Sequence, residues 1–119
     1  MTDVAVVASD RRVRDSLASV LAATGRVRVL WTAADEPAAL AAAAMRRPDV
    51  VVLDARGDGV SGGQLLRTLR DGAPGARILV VEWDGAHDLS FAASVADGVL
   101  DVSALPGALF AALGDRATD

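Results

Sequence analysis

Three stretches of the chain, VAVV at residues 4–7, VVVL at 50–53 and ILVV at 78–81, are apolar at every position. A strand with one wet face alternates apolar and polar residues, whereas an unbroken apolar run has to be buried on both faces. Between these runs the apolar residues return at intervals of three and four, the period of an α-helix. Val13, Leu17, Val20 and Leu21 share one helical face in this way. Buried strands alternating with helices predict a parallel sheet covered on both sides, because right-handed crossovers carry the helices to its faces. The expected fold class is therefore α/β, a doubly wound five-stranded parallel sheet of (βα)5 type.

Punctuation residues set the remaining elements. Gly25 is placed to close the first helix in a left-handed conformation. A second strand is expected over residues 27–31, and Asp35 as the N-cap of an Ala-rich helix with Pro37 in its first turn. Pro48 stops that helix ahead of the strand at 50–53. Ser61 and Gln64 fit a capping box that opens a helix with Leu65, Leu66 and Leu69 inward, ended by Gly72 and Pro74. A short helix at 88–95, a fifth strand at Val99 and Leu100, and a last helix capped by Ser103 complete the pattern. The inner face of that last helix is Leu105, Leu109, Ala112 and Leu113. One domain over residues 1–114 is expected, with 115–119 as a polar tail or the start of a linker.

Composition excludes several classes of function. A net charge of −4 argues against direct contact with nucleic acid, since neutralising phosphates needs a basic surface. The chain has no cysteine, so neither a disulfide framework nor a thiolate metal site is open to it. No uncharged apolar run reaches eighteen residues and no basic segment opens the chain, so no membrane contact and a cytoplasmic location are expected. All twelve basic residues are arginine.

In doubly wound folds, sites gather where strands end at their C-terminal edges. Those edges here carry Ala8, Ser9 and Asp10; Thr32; Asp54; Glu82 and Trp83; and Asp101, Val102 and Ser103. The stretch Pro48-Asp49-Val50-Val51-Val52-Leu53-Asp54, followed by Val60-Ser61-Gly62, resembles the receiver domains of bacterial response regulators, most nearly those of NarL/LuxR-type transcription regulators. Val13-Arg14-Asp15-Ser16-Leu17 is similar to that family's first helix, and Ala96-Asp97-Gly98 precedes the fifth strand as it does there. The resemblance implies the flavodoxin-like receiver fold.

It also implies a constellation: two acidic residues after the first strand to hold Mg²⁺, and an acceptor aspartate after the third. A Thr or Ser after the fourth strand and a Lys after the fifth contact the phosphoryl group. Asp54 matches the acceptor, whereas the acidic pair falls on Ala8 and Ser9, the hydroxyl position on Glu82 and the lysine position on Val102. With no lysine anywhere, no shift of alignment restores the ammonium. Val99 takes the place of the switch aromatic and Asp58 that of a proline after the acceptor. Phosphorylation would add about two negative charges to a pocket that already holds Asp54 and Glu82. The cation clamp that makes phosphoryl transfer possible is largely missing.

The resulting expectation is an atypical receiver, or pseudo-receiver, in which Asp54 is a vestigial acceptor and Ser9, Asp10, Glu82, Trp83 and Val102 line the pocket. No cofactor is expected; were Mg²⁺ to bind, Asp10 and Asp54 would be its ligands. Arg11 or Arg12 is the candidate to lean over the pocket in the cation's place, against the plainer reading of a solvated basic edge. His87, the one histidine, reads as a capping or exposed residue, and no nucleophile triad or phosphate-binding glycine loop is present. An enzyme is not expected. The expected role is a regulatory module that pairs with itself or a related regulator and controls a DNA-binding output domain outside these residues. The last helix, with Leu105, Leu109 and Phe110, is one candidate pairing surface. The alternatives are a phosphorylatable receiver with Asp54 as acceptor, and a pseudo-receiver that senses a small ligand.

Overall fold

The structure, a computed structural model, describes residues 2–54, 62–72, 75–82 and 98–101. In chain order its elements are β1 (Thr2–Val7), α1 (Arg11–Ala23), β2 (Val27–Ala33), α2 (Glu36–Met45), β3 (Val50–Leu53), α3 (Gly62–Gly72), β4 (Arg77–Glu82) and β5 (Gly98–Asp101). The strands form one sheet in the order β2-β1-β3-β4-β5. Every neighbouring pair is parallel. This is the flavodoxin-like receiver fold. The chain steps from β1 outward to β2, then returns across β1 to β3, so the winding reverses between β1 and β3. Ligand crevices of open α/β sheets lie at such a reversal.

The all-apolar runs are buried on both faces, as their composition requires. Ala5, Val7, Val51, Leu53, Ile78 and Val80 pack to one side with Ala39 of α2 and Leu69 of α3. Their chain neighbours Val4, Val6, Val50, Val52, Leu79 and Val81 pack to the other with Leu17 and Leu21 of α1. Each fully buried aliphatic side chain contributes roughly 1.5–3 kcal/mol.

The strands reach past their apolar centres. Thr2 pairs with Val27 and Thr32 with Val6, so β1 and β2 each take in polar residues that the ladder holds in register. Asp35 caps α2 by accepting from the Ala38 amide at 3.0 Å, and Pro37 lies in the first turn. Gly25 follows α1 at φ +70°, where a side chain would be strained. Val20 departs from the expected inner face of α1: it is 42% exposed. Leu17 and Leu21 define the buried stripe, and Val20 stands at its flank. Ser61, Pro74, the helix expected at 88–95 and the one expected from Ser103 lie outside the described residues.

Candidate functional site

The C-terminal ends of β1 and β3 meet at the winding reversal. Val7 pairs with Leu53, and Leu53 with Val80. One residue further, the Asp54 amide donates to the Val7 carbonyl at 2.8 Å, and the Ala8 amide donates to Ala33 at 3.0 Å. Asp54 thus stands beside the segment that leaves β1. Its side chain is buried, 1% exposed. A carboxylate is costly to bury unless it is hydrogen-bonded. Among the described residues no buried side-chain nitrogen or oxygen lacks a partner.

Around Asp54 the loop after β1 contributes little charge. Ala8 is fully buried and has no polar side chain, and Ser9 is half-buried. Asp10 is exposed and its carboxylate is engaged elsewhere. Oδ1 accepts from the Arg12 amide at 2.8 Å and from the Val13 amide at 3.3 Å, which makes Asp10 the N-cap of α1. A hard cation such as Mg²⁺ wants several oxygen ligands, carboxylates among them. A methyl group, a neutral hydroxyl and a carboxylate held at a helix end do not make such a set beside Asp54. Among the described residues no three acidic or imidazole side chains are grouped so as to hold a metal ion.

On the other side of Asp54, β4 ends at Glu82, whose register partner is Asp101 at the end of β5. Acid-bearing positions therefore close the sheet edge on three successive strands, β3, β4 and β5. Trp83 and Val102, the other expected pocket residues, lie outside the described residues.

The two expected arginines are solvent-exposed. Arg11 pairs with Asp15 one turn along at 3.7 Å, with both side chains largely in solvent, 85% and 65% exposed. Arg12 is exposed as well. Both thus stand on the solvated side of the first turn of α1. The arginine that turns inward is Arg14, half-buried, whose Nη1 donates to the Ala8 carbonyl at 3.0 Å. A guanidinium of α1 thereby holds the end of β1 at the edge of the pocket. The signal was in the spacing: Arg14 is three residues before Leu17 and seven before Leu21, on the buried stripe, whereas Arg11 and Arg12 are not.

No protein-family profile and no curated protein matches the sequence. Solved structures do match. The signal receiver domain of the response regulator NarL from Mycobacterium tuberculosis is 28% identical, with 95% of this chain and 97% of that one aligned at a TM-score of 0.76. A LuxR-family two-component response regulator from an Aurantimonas species is 25% identical, with 98% and 88% aligned at a TM-score of 0.78. RcsB from Salmonella enterica, bound to promoter DNA in the presence of a beryllium fluoride phosphomimetic, is 17% identical, with 96% and 97% aligned at a TM-score of 0.75. The structural neighbours of this chain are thus receiver domains of NarL/LuxR-type response regulators. Among the described residues no helix is long and apolar enough to cross a membrane.

Proposed function

We propose that this receiver-fold chain is a regulatory module of a DNA-binding transcription regulator, and that it works without standard aspartyl phosphorylation. In this reading it is not an enzyme. It pairs with itself or with a related regulator, and that pairing sets the state of an output domain that binds DNA.

The observation that carries the reading is that, among the described residues, the loop after β1 offers Asp54 no set of metal ligands. The acceptor position is kept, buried at the end of β3. The two places beside it that would bring in Mg²⁺ hold Ala8 and Ser9, and Asp10 serves as a helix cap. The chain has no lysine to meet a transferred phosphoryl group. A dianion placed beside Asp54 would sit against the acid-bearing edge positions of β4 and β5, with no lysine in the chain to offset the repulsion.

Incubation with acetyl phosphate and millimolar Mg²⁺, followed by intact-mass spectrometry, tests the proposal. The expected outcome is no adduct. A phosphoryl adduct on the parent chain that Asp54→Asn lacks would establish the phosphorylatable reading in its place.

A further inference from the structure

The turn that carries the chain from β1 into α1 consists of Ala8, Ser9 and Asp10. It is held at both ends by the chain itself. The Ala8 amide donates to the Ala33 carbonyl at the end of β2, at 3.0 Å. The Ala8 carbonyl accepts from the Arg14 guanidinium, also at 3.0 Å. Asp10 caps α1 with its side chain, and its carbonyl accepts from the Arg14 amide at 2.9 Å. Arg14 therefore grips the turn twice, through its main chain at Asp10 and through its side chain at Ala8. The carbonyl before Ala8, that of Val7, accepts from the Asp54 amide at 2.8 Å. Two consecutive carbonyls at the end of β1 are thus bonded, one to the residue that follows β3 and the next to α1.

We infer that Arg14 is a positioning residue that fixes this turn, and with it the main chain at Asp54, in one arrangement that no divalent cation alters. A turn built to hold Mg²⁺ presents carboxylates, and their mutual repulsion is relieved only when the ion arrives. Such a turn is organised by its ligand. Here Ala8 offers a methyl group, Ser9 a neutral hydroxyl, and Asp10 a carboxylate already engaged as a helix cap. There is no repulsion between them for an ion to relieve. The organising charge belongs to the chain instead. A guanidinium stays protonated, and as a charged donor it bonds a carbonyl more strongly than a neutral one does. Arg14 is half-buried, which limits its screening by salt. Unlike a bound ion, it cannot leave for solvent. The Asp54 end of β3 is accordingly a constant surface, and the state of the module is set by the partner it meets rather than by a cation at this edge. This rests on the reading of the chain as a module that works without standard aspartyl phosphorylation.

Amide relaxation dispersion of the ¹⁵N-labelled chain, which reads µs–ms motion within the folded state, gives the test, with and without millimolar Mg²⁺. In the parent chain, flat profiles and unmoved peaks are expected at Ala8, Ser9, Asp10 and Asp54 under both conditions. Arg14→Met keeps the aliphatic stem and removes the donor. It is expected to raise the exchange contribution at Ala8 and Asp54 at least about threefold, while the amides of residues 78–81 stay flat. Should Arg14→Met not fold, Arg14→Gln, whose shorter side chain stops before the Ala8 carbonyl, carries the same expectation. Arg11→Met with Arg12→Met is expected to match the parent. Peaks at Ala8, Ser9, Asp10 or Asp54 that move or broaden with Mg²⁺ overturn the inference. So do flat profiles at Ala8 and Asp54 in the Arg14 variant, or the same disturbance in the Arg11 and Arg12 variant. Acetyl phosphate separates this result from the reading beneath it. A chain that takes no adduct yet responds to Mg²⁺ loses the inference and keeps the reading, whereas an adduct at Asp54 removes the reading itself.

Discussion

At Arg14 a cationic side chain of a helix is bonded to the carbonyl that β1 leaves behind at its end, Nη1 to Ala8 at 3.0 Å. Hydrogen bonds from charged donors contribute about 1.5–3 kcal/mol, and partial exposure moves this one toward the lower figure. Arg14→Met, which keeps the aliphatic stem, is expected to lower the unfolding free energy by about 1–2 kcal/mol in urea titration. Arg11→Ala and Arg12→Ala are expected to stay within about 0.5 kcal/mol of the parent, being solvated. Equal losses at all three positions would mean that the Arg14 bond contributes nothing particular. At this scale the sequence located Asp54, because an apolar strand that stops at a carboxylate marks its own end. It did not distinguish Arg14 from Arg11 and Arg12. Three clustered charges look alike until the helix phase is fixed by Leu17 and Leu21.

Among the elements, α1 depends on Asp10 for its start. The Asp10 carboxylate satisfies two of the amides that a helix leaves without partners at its N-terminus. Asparagine caps about as well as aspartate, whereas alanine forfeits about 1 kcal/mol. Asp10→Asn is therefore expected to match the parent chain in thermal unfolding, and Asp10→Ala to fall below it, with Mg²⁺ changing neither result. A metal ligand at this position would be hurt by both substitutions and would respond to the cation. The helix caps and strand centres were the readable part of the fold. Asp35, Pro37 and Gly25 act where their backbone preferences put them. Strand ends were less readable, because Thr2, Asp3 and Thr32 fall outside the apolar runs, and Asp3 is held in β1 by ladder pairing against its own propensity.

Over the whole molecule, the end of the sheet opposite Asp54 is tied by charge. Arg28 donates to both carboxylate oxygens of Asp3, at 2.9 and 3.1 Å, from neighbouring β2. The hydrogen bond from Arg28 is the main reason the Asp3 carboxyl ionises below its ordinary value of 3.8. A folded-state pKa depressed in this way stabilises the ionised native form above the unfolded value. The contribution then fades as pH falls from about 3.8 through the lower folded value. Asp3→Asn is expected to lower the neutral plateau in urea titrations by the same small amount by which it flattens the acid limb below pH 4, the pair being open to solvent. The same strand carries a kinetic consequence. β1 is flanked by β2, whose Arg28 lies 25 residues from Asp3, and by β3, which Asp49 precedes at 46. A ribosome adding roughly 5–20 residues each second makes β1 seconds before β3 exists to cover its far edge. During that interval an apolar ribbon waits with one side bare, so the nascent chain is at its most vulnerable to misassociation before Leu53 has been translated.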